Sequence, residues 1–347
     1  MPLPLLAFLL TLLLLTVLQC VFKKLKWLDK PELYGYLRKP VPYGLGIVFF
    51  LVFLILGVNF LEMSPKLIAL FGAGGLLTLT SFLDDRYNLP AVPRFLVQIL
   101  CAAIVVLAGI GVPAISNPFG ATIVLDSIQW SFSFGEWSFQ IEPLADLIAL
   151  LWIVFVINAM NWLDGAPGMV SGISTIACAV IFFLASISDL HVIDQADLSV
   201  MALIVGASSF AFLFFDFPKP RILMGDSGTM FLGLMIAVMA IFSGGKLATA
   251  FIVLAIPILD ALWTIVRRIL KKQSPFKGDF QHFHHELMRA GLTESQVNGF
   301  YYVVSLSFGI SALYLESLGK FIAILSLFAL MVIIRLFLLK SAPKEPQ

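Results

Sequence analysis

Charge is what this chain most lacks. Asp, Glu, Lys and Arg make up only 12% of its 347 residues, where a soluble domain carries about 25%. So few charges cannot cover a water-facing surface, which excludes a soluble globular fold and makes lipid the main solvent. The net charge is +1, so there is no basic face for a nucleic-acid partner. Cysteine is scarce as well. Cys20, Cys101 and Cys178 all sit inside apolar runs, too far apart for a metal motif, and read as small core or lipid-facing residues. No phosphate-binding loop of the ATPase type occurs, so nothing points to ATP. Between residues 113 and 143 there is not one Lys or Arg.

Apolar residues fill the space. They account for 60% of the chain, and mean hydropathy is +1.00. Stretches of about 20 such residues, enough to cross a bilayer, occur near 3–22, 43–61, 66–83, 94–112, 144–160, 168–187, 197–215, 228–243, 247–266, 297–315 and 319–339. The first has no basic residue before it and no small-residue cleavage site, and Lys23, Lys24 and Lys26 follow it, so it is expected to be a retained helix. The expected fold is a single domain, 1–347: an all-α polytopic membrane protein of about eleven transmembrane helices.

Cations give the orientation. Of the 22 Lys and Arg residues, 19 fall in one set of alternate connections, and only Lys66, Lys246 and Lys320 fall in the other. The positive-inside rule then places the amino terminus outside and the carboxyl terminus in the cytoplasm. In the long exterior connection, Ile128, Trp130, Phe132 and Phe134 alternate with polar residues, Gly135-Glu136 turns, and Trp137, Phe139 and Ile141 alternate again. Period-two patterning on both sides of a glycine turn predicts a short β-hairpin, its aromatic face resting on the membrane interface.

Four polar segments fall on the cytoplasmic side. Asp84 and Asp85 end the third apolar run; adjacent carboxylates repel and are costly without a nearby cation, so the pair reads as a metal or phosphate-chemistry site, a general base, or a helix end facing cytoplasmic water beside Arg86. Asn158, Asn161 and Asp164 recur at three-residue spacing, offering hard oxygen donors suited to Mg²⁺, although Asn could also cap the helix and Asp164-Gly165 form its turn. Asp226 stands in Gly225-Asp226-Ser227-Gly228, where glycines allow close approach and a helix start could hold phosphate. His282, His284 and His285 crowd into four positions between basic runs. That favours anion binding over zinc, which would want Cys or a second His cluster. Asp260, inside the ninth run, has Arg267 seven residues on, and the pair reads as helix stabilisation. A secondary transporter would instead collect polar residues at the membrane midplane within an internal repeat. Neither is visible.

Together, Asp84-Asp85 with Leu89, Asn158/Asn161/Asp164-Gly165, Gly225-Asp226-Ser227-Gly228 and the SPFxxDxxHxHHxLxxxGL segment at 274–292 resemble the polyprenyl-phosphate N-acetylhexosamine-1-phosphate transferases. The likeness runs from about residue 29 to 297. It looks closest to the branch that starts O-antigen, common-antigen and teichoic acid synthesis. The resemblance implies that a UDP-activated N-acetylhexosamine gives its sugar 1-phosphate to undecaprenyl phosphate at the cytoplasmic face of the plasma membrane, releasing UMP. It implies Asn161 and Asp226 as ligands of Mg²⁺, or of Mn²⁺ in its place. Arg94, where the family usually has Lys, would bind the carrier phosphate. His282, His284 and His285 would contact the nucleotide diphosphate, with Asn158 in the same substrate-binding set. Asp84, Asp85 and Asp164 would be the catalytic carboxylates, with Asp84 or Asp85 deprotonating or orienting the carrier phosphate, and direct attack is preferred to a phospho-aspartate route. A homodimer is left open. Two departures bear on sugar preference: Asp164-Gly165-Ala166-Pro167-Gly168 lacks the family's second Asp, and the amino-terminal loop keeps Arg38-Lys39 without the His that often follows.

Overall fold

A computed structural model describes residues 1–34, 38–134, 137–187, 195–243, 247–272 and 281–341. Among these it contains thirteen α-helices and two small antiparallel sheets. The helices are α1 Leu3–Lys24, α2 Ile47–Phe60, α3 Pro65–Tyr87, α4 Ala91–Leu107, α5 Pro143–Trp162, α6 Met169–Ile187, α7 Gln195–Asp216, α8 Gly225–Phe242, α9 Leu247–Val253, α10 Ala255–Leu270, α11 Phe283–Arg289, α12 Glu294–Tyr314 and α13 Ser317–Ser341. Seven are long and apolar enough to span a membrane, eight if α9 and α10 count as one bent span. Of the other expected spans, α2 and α4 are apolar but shorter than 18 residues, and α12 is the more polar.

Local signals set the ends. At α3, the Ser64 hydroxyl accepts from the Leu67 amide at 3.3 Å, Pro65 opens the helix, and Asn88 closes it in the left-handed region at φ 52°. Thr293 and Gln296 form a reciprocal capping box at the start of α12. The expected ninth span is corrected: it breaks into α9 and α10, bent by 88°. Pro257 explains the break, because it has no N–H for the Val253 carbonyl and its ring crowds that carbonyl, so α9 ends at Val253.

The centre is α8, in which every residue but Asp226 is buried. It packs between α3 and α5, with α2, α6 and α7 around it. A helix apolar on all sides belongs inside a bundle. Glycines let its backbone approach its neighbours, as small residues do between membrane helices. A Cβ on Gly46 would lie 2.2 Å from the Gly228 Cα, and one on Gly233 would lie 2.7 Å from the Ile157 Cα. Outer helices show the opposite pattern, with Leu9 and Leu13 of α1 and Ile333 and Phe337 of α13 turned outward, a surface suited to lipid.

The expected hairpin is present. Strands β3 Trp130–Phe134 and β4 Trp137–Ile141 pair antiparallel with Trp130 opposite Ile141 and Phe132 opposite Phe139. The preceding β1 Ala114–Ile115 and β2 Ile123–Val124 form a smaller pair. The Gly135-Glu136 turn lies outside the described residues, as does the 274–280 part of the histidine segment.

Candidate active site

One end of the bundle opens into a cavity of about 860 Å³, lined by the ends of α3 and α5, the start of α8, and the loop before α2. That loop is stitched to the segment leading into α8: Leu223 N donates to Pro42 O at 2.9 Å, Leu45 N to Leu223 O at 3.1 Å and Gly46 N to Met224 O at 2.9 Å. Within it Asp29 accepts from Arg38 Nη2 at 2.6 Å and from Val41 N at 2.7 Å. Lys30, Arg38 and Arg86 line the cavity alongside the expected Arg94.

The two adjacent aspartates do different things. Asp84 is buried and accepts from the Leu89 amide at 2.7 Å and from Arg94 Nη1. Asp85 accepts from the backbone amides of Asp226 at 2.7 Å and Ser227 at 3.1 Å, so it caps the amino terminus of α8 from another helix. Gly225 makes room for it: its φ is +70°, and a Cβ there would lie 2.5 Å from Asp85 Oδ2. Arg94 Nη1 also donates to Asp226 Oδ2 at 2.9 Å and so bridges Asp84 and Asp226. Asn161 Nδ2 donates to Asp226 Oδ1 and to Thr229 Oγ1, both at 2.9 Å. Asn161 and Asp226, implied together as metal ligands, are thus neighbours on the cavity wall.

Asp164 opens on the same cavity, and its carboxylate accepts no hydrogen bond among the described residues. Partial loss of hydration among the surrounding groups, then repulsion from Asp216, Asp226 and Asp85, raises its carboxyl above the usual carboxylate range, although the side chain stays open to the cavity. Its loop is braced by α12: Asn298 Nδ2 donates to Pro167 O at 2.6 Å and Tyr302 Oη to Gly168 O at 2.5 Å. Behind it lies buried Asp216, which accepts from Ser171 Oγ at 3.0 Å.

The remaining expected residues separate. His285 lines the cavity; His282 and His284 do not. His282 is buried with Nδ1 2.8 Å from Asp260 Oδ2. His284 is 1% exposed, and neither ring nitrogen has a hydrogen-bond partner among the described residues. Burial, then the neighbouring His285, pushes it down to about 3, so near neutral pH it is uncharged and offers no cation to a diphosphate. Asn158 also lies away from the cavity wall, donating to Gln98 Oε1 at 2.6 Å and to Val154 O at 2.8 Å. Asp260 is not paired with Arg267, which donates to Gln281. Its cation is Arg335 of α13, at 2.5 Å. Gln98, Thr229, Asp216 and Arg335 were missed. Gln98 and Arg335 could have been found, since a polar side chain inside an apolar run needs a partner.

A divalent cation suits this donor set. Carboxylates, a carboxamide and the unpartnered Asp164 are hard oxygen donors around one space. No group of three or more His, Cys, Asp or Glu residues among the described ones forms a closed cage. Mg²⁺ does not need one, because it is typically held by one or two carboxylates plus water and substrate phosphate.

The Glycosyl transferase family 4 model matches residues 67–244, just over half of the chain, and takes in Asp84, Asp85, Arg94, Asn161, Asp164 and Asp226. The chain belongs to glycosyl transferase family 4. Its relatives within this polyprenyl-phosphate transferase group include a Bacillus subtilis (strain 168) protein named "Probable undecaprenyl-phosphate N-acetylglucosaminyl 1-phosphate transferase". It is 29% identical over 337 residues, covering 94% of this chain and 88% of that protein. The undecaprenyl-phosphate alpha-N-acetylglucosaminyl 1-phosphate transferase of Escherichia coli (strain K12) is 27% identical over 301 residues, 83% of this chain and 76% of that one. A decaprenyl-phosphate N-acetylglucosaminephosphotransferase of Mycolicibacterium smegmatis is 30% identical over 250 residues, 66% and 58% respectively. As a family 4 member, the chain is a multi-pass membrane transferase, and the cavity is where its motifs converge.

Proposed function

We propose that this enzyme transfers N-acetylhexosamine 1-phosphate from a UDP-sugar to undecaprenyl phosphate, releasing UMP and forming the lipid-linked sugar that initiates a cell-envelope polysaccharide. The names of the relatives support N-acetylglucosamine 1-phosphate and a polyprenyl phosphate as the transferred group and acceptor. The observation that carries the reading is the cavity itself. Asp84, Asp226, Asn161 and Arg94 form one connected hydrogen-bond set, with unpartnered Asp164 beside it, at the end of a bundle whose outer helices suit lipid. The cation bias supports a cytoplasmic position for that end and an exterior amino terminus, and the membrane in this reading is the plasma membrane.

The carrier phosphate is largely ionised at neutral pH, since such a monoester has a second pKa of about 6. It can therefore attack the sugar-bearing phosphorus directly, breaking the phosphoanhydride so that UMP leaves with the bond electrons. No protein base is required. Asp85, engaged by two amides, holds α8 in place, while Asp84 orients Arg94 for the incoming phosphate. Asp226, Asn161 and Asp164 would hold Mg²⁺, which supplies charge neutralisation for the diphosphate. His285, on the cavity wall, would contact the donor's diphosphate.

One phosphoanhydride is exchanged for another, so the equilibrium constant should lie within about tenfold of one, a difference of about 1.4 kcal/mol. Purified protein given undecaprenyl phosphate, UDP-N-acetylglucosamine and Mg²⁺ should form sugar lipid, and labelled UMP should then exchange into UDP-sugar. Carrier-independent release of sugar 1-phosphate, with no return of label, would overturn the reading.

A further inference from the structure

The short helix α11 carries His285 to the cavity, yet seven residues cannot sustain a helix on their own. It needs an external hold, and buried charge outside the cavity supplies one. Asp260 of α10 accepts from the Phe283 amide at 2.9 Å and pairs with His282 Nδ1 at 2.8 Å, gripping the first turn of α11. Arg335 of α13 donates through Nη2 to Asp260 at 2.5 Å and through Nε to Glu286 at 2.9 Å, reaching three residues further along the same helix. Its guanidinium also lies over the rings of Trp263 and Phe283, 5.1 and 5.3 Å from their centroids.

Asp260 and Arg335 are 5% and 6% exposed. Charges buried so deeply are costly unless their geometry is used. Apolar packing of Phe283 against Phe300 and Tyr301 holds α11 to α12, but ring contacts alone do not fix rotation about the helix axis. The two-armed clamp does. Between its arms lie His284, whose Nε2 faces Gly165 next to Asp164, and His285 on the cavity wall. Neither Asp260 nor Arg335 lines the cavity, and both fall outside the matched family segment.

We propose that Asp260 and Arg335 are positioning residues, a clamp between α10 and α13 that sets the rotation of α11 and so aims His285 at the donor's diphosphate. The consequence for the donor rests on the transferase reading; the clamp itself does not. The test uses the full chain in nanodiscs. In Arg335→Met, amides of residues 282–290 should exchange about tenfold faster or more, the loss of a charged hydrogen bond or two, with α8 amides unchanged. KM for the UDP-sugar should rise by about tenfold while KM for the carrier phosphate stays within about twofold, which a loss of overall stability would not produce. Arg335→Lys, which keeps the charge but not the fork, should fall between wild type and Arg335→Met. If Arg335→Met does not fold, Glu286→Ala removes one arm only and should show the same pattern at smaller size. Native exchange rates across α11 would overturn the clamp. Loosened α11 amides with an unaltered donor KM would overturn the aim. A wild type without transferase activity would refute the transferase reading and leave the exchange result to decide the clamp.

Discussion

Gly165 gives the sharpest test of how the histidine segment meets the Asp164 turn. A Cβ on Gly165 would lie 1.8 Å from His284 Nε2 and 2.5 Å from its Cδ2. Comfortable contact begins near about 3.5 Å, so something must yield by about 1.7 Å. The ring has little freedom to do so. It lies parallel to His282 with centroids 5.8 Å apart, and the His285 ring is 4.1 Å away. Gly165→Ala must therefore displace α11 or the turn that carries Asp164. Overpacking of this kind costs about 1–3 kcal/mol of stability, and moving a reacting group by about 1 Å can cost a hundredfold in rate. Thermal unfolding and kcat/KM for lipid-linked product should both fall. Adding His284→Ala removes the obstructing ring, so the double variant should unfold at a higher temperature than Gly165→Ala alone, a non-additivity of about 1 kcal/mol or more. A Gly165→Ala enzyme within about threefold of wild type, or a purely additive double variant, would refute this account of the contact.

Two further outcomes follow from the cavity's charge. Because the Asp164 carboxyl is held above its ordinary value of 3.8 by partial loss of hydration and then by Asp216, Asp226 and Asp85, the native state binds more protons than the unfolded one. Its contribution is thus fully present below the unfolded value and is lost as pH rises through the folded one. Mg²⁺ should accordingly raise the unfolding temperature more at pH 8 than at pH 5; equal increments at both would sink the idea. Asp85→Ala strips the acceptor from two α8 amides and should lower stability by about 1–2 kcal/mol, as lost caps do, with Asp85→Asn losing less because one oxygen remains. Equal losses by calorimetry would mean the cap is not what Asp85 supplies.

The spans were legible because lipid imposes a composition that nothing else does, and the cavity motifs because oxygen donors at helix ends stand out against it. What failed was pairing over distance. Asp260 was matched to Arg267 because a sequence offers only near neighbours, whereas packing brings Arg335 to it from 75 residues away. Asp84 and Asp85 read as one unit, yet one binds Arg94 and the other caps α8, 141 residues on. The histidines read as one anion site for the same reason. Spacing does not reveal that α11 turns His282 toward Asp260 and His284 toward Gly165, and leaves His285 at the cavity. Only Pro257, in plain view inside an apolar run, announced a break that was read as a continuous span.

The charges around the cavity bear on how an anionic substrate would be received there. Arg94 is shared between Asp84 and Asp226, and Asp85 is turned to the α8 amides. Arg38 is paired with Asp29, while Lys30 and Arg86 line the cavity as exposed side chains. An entering diphosphate therefore meets Asp164, the exposed cations Lys30 and Arg86, and a guanidinium already bonded to two carboxylates. Breaking both of those bonds for one phosphate would exchange one pairing for another with no net gain in charge. Asp226, Asn161 and Asp164 would hold a divalent cation that would supply the missing positive charge and leave Arg94 to donate through its remaining N–H groups. We propose that a divalent cation is favoured by the way this chain distributes its own charge around the cavity.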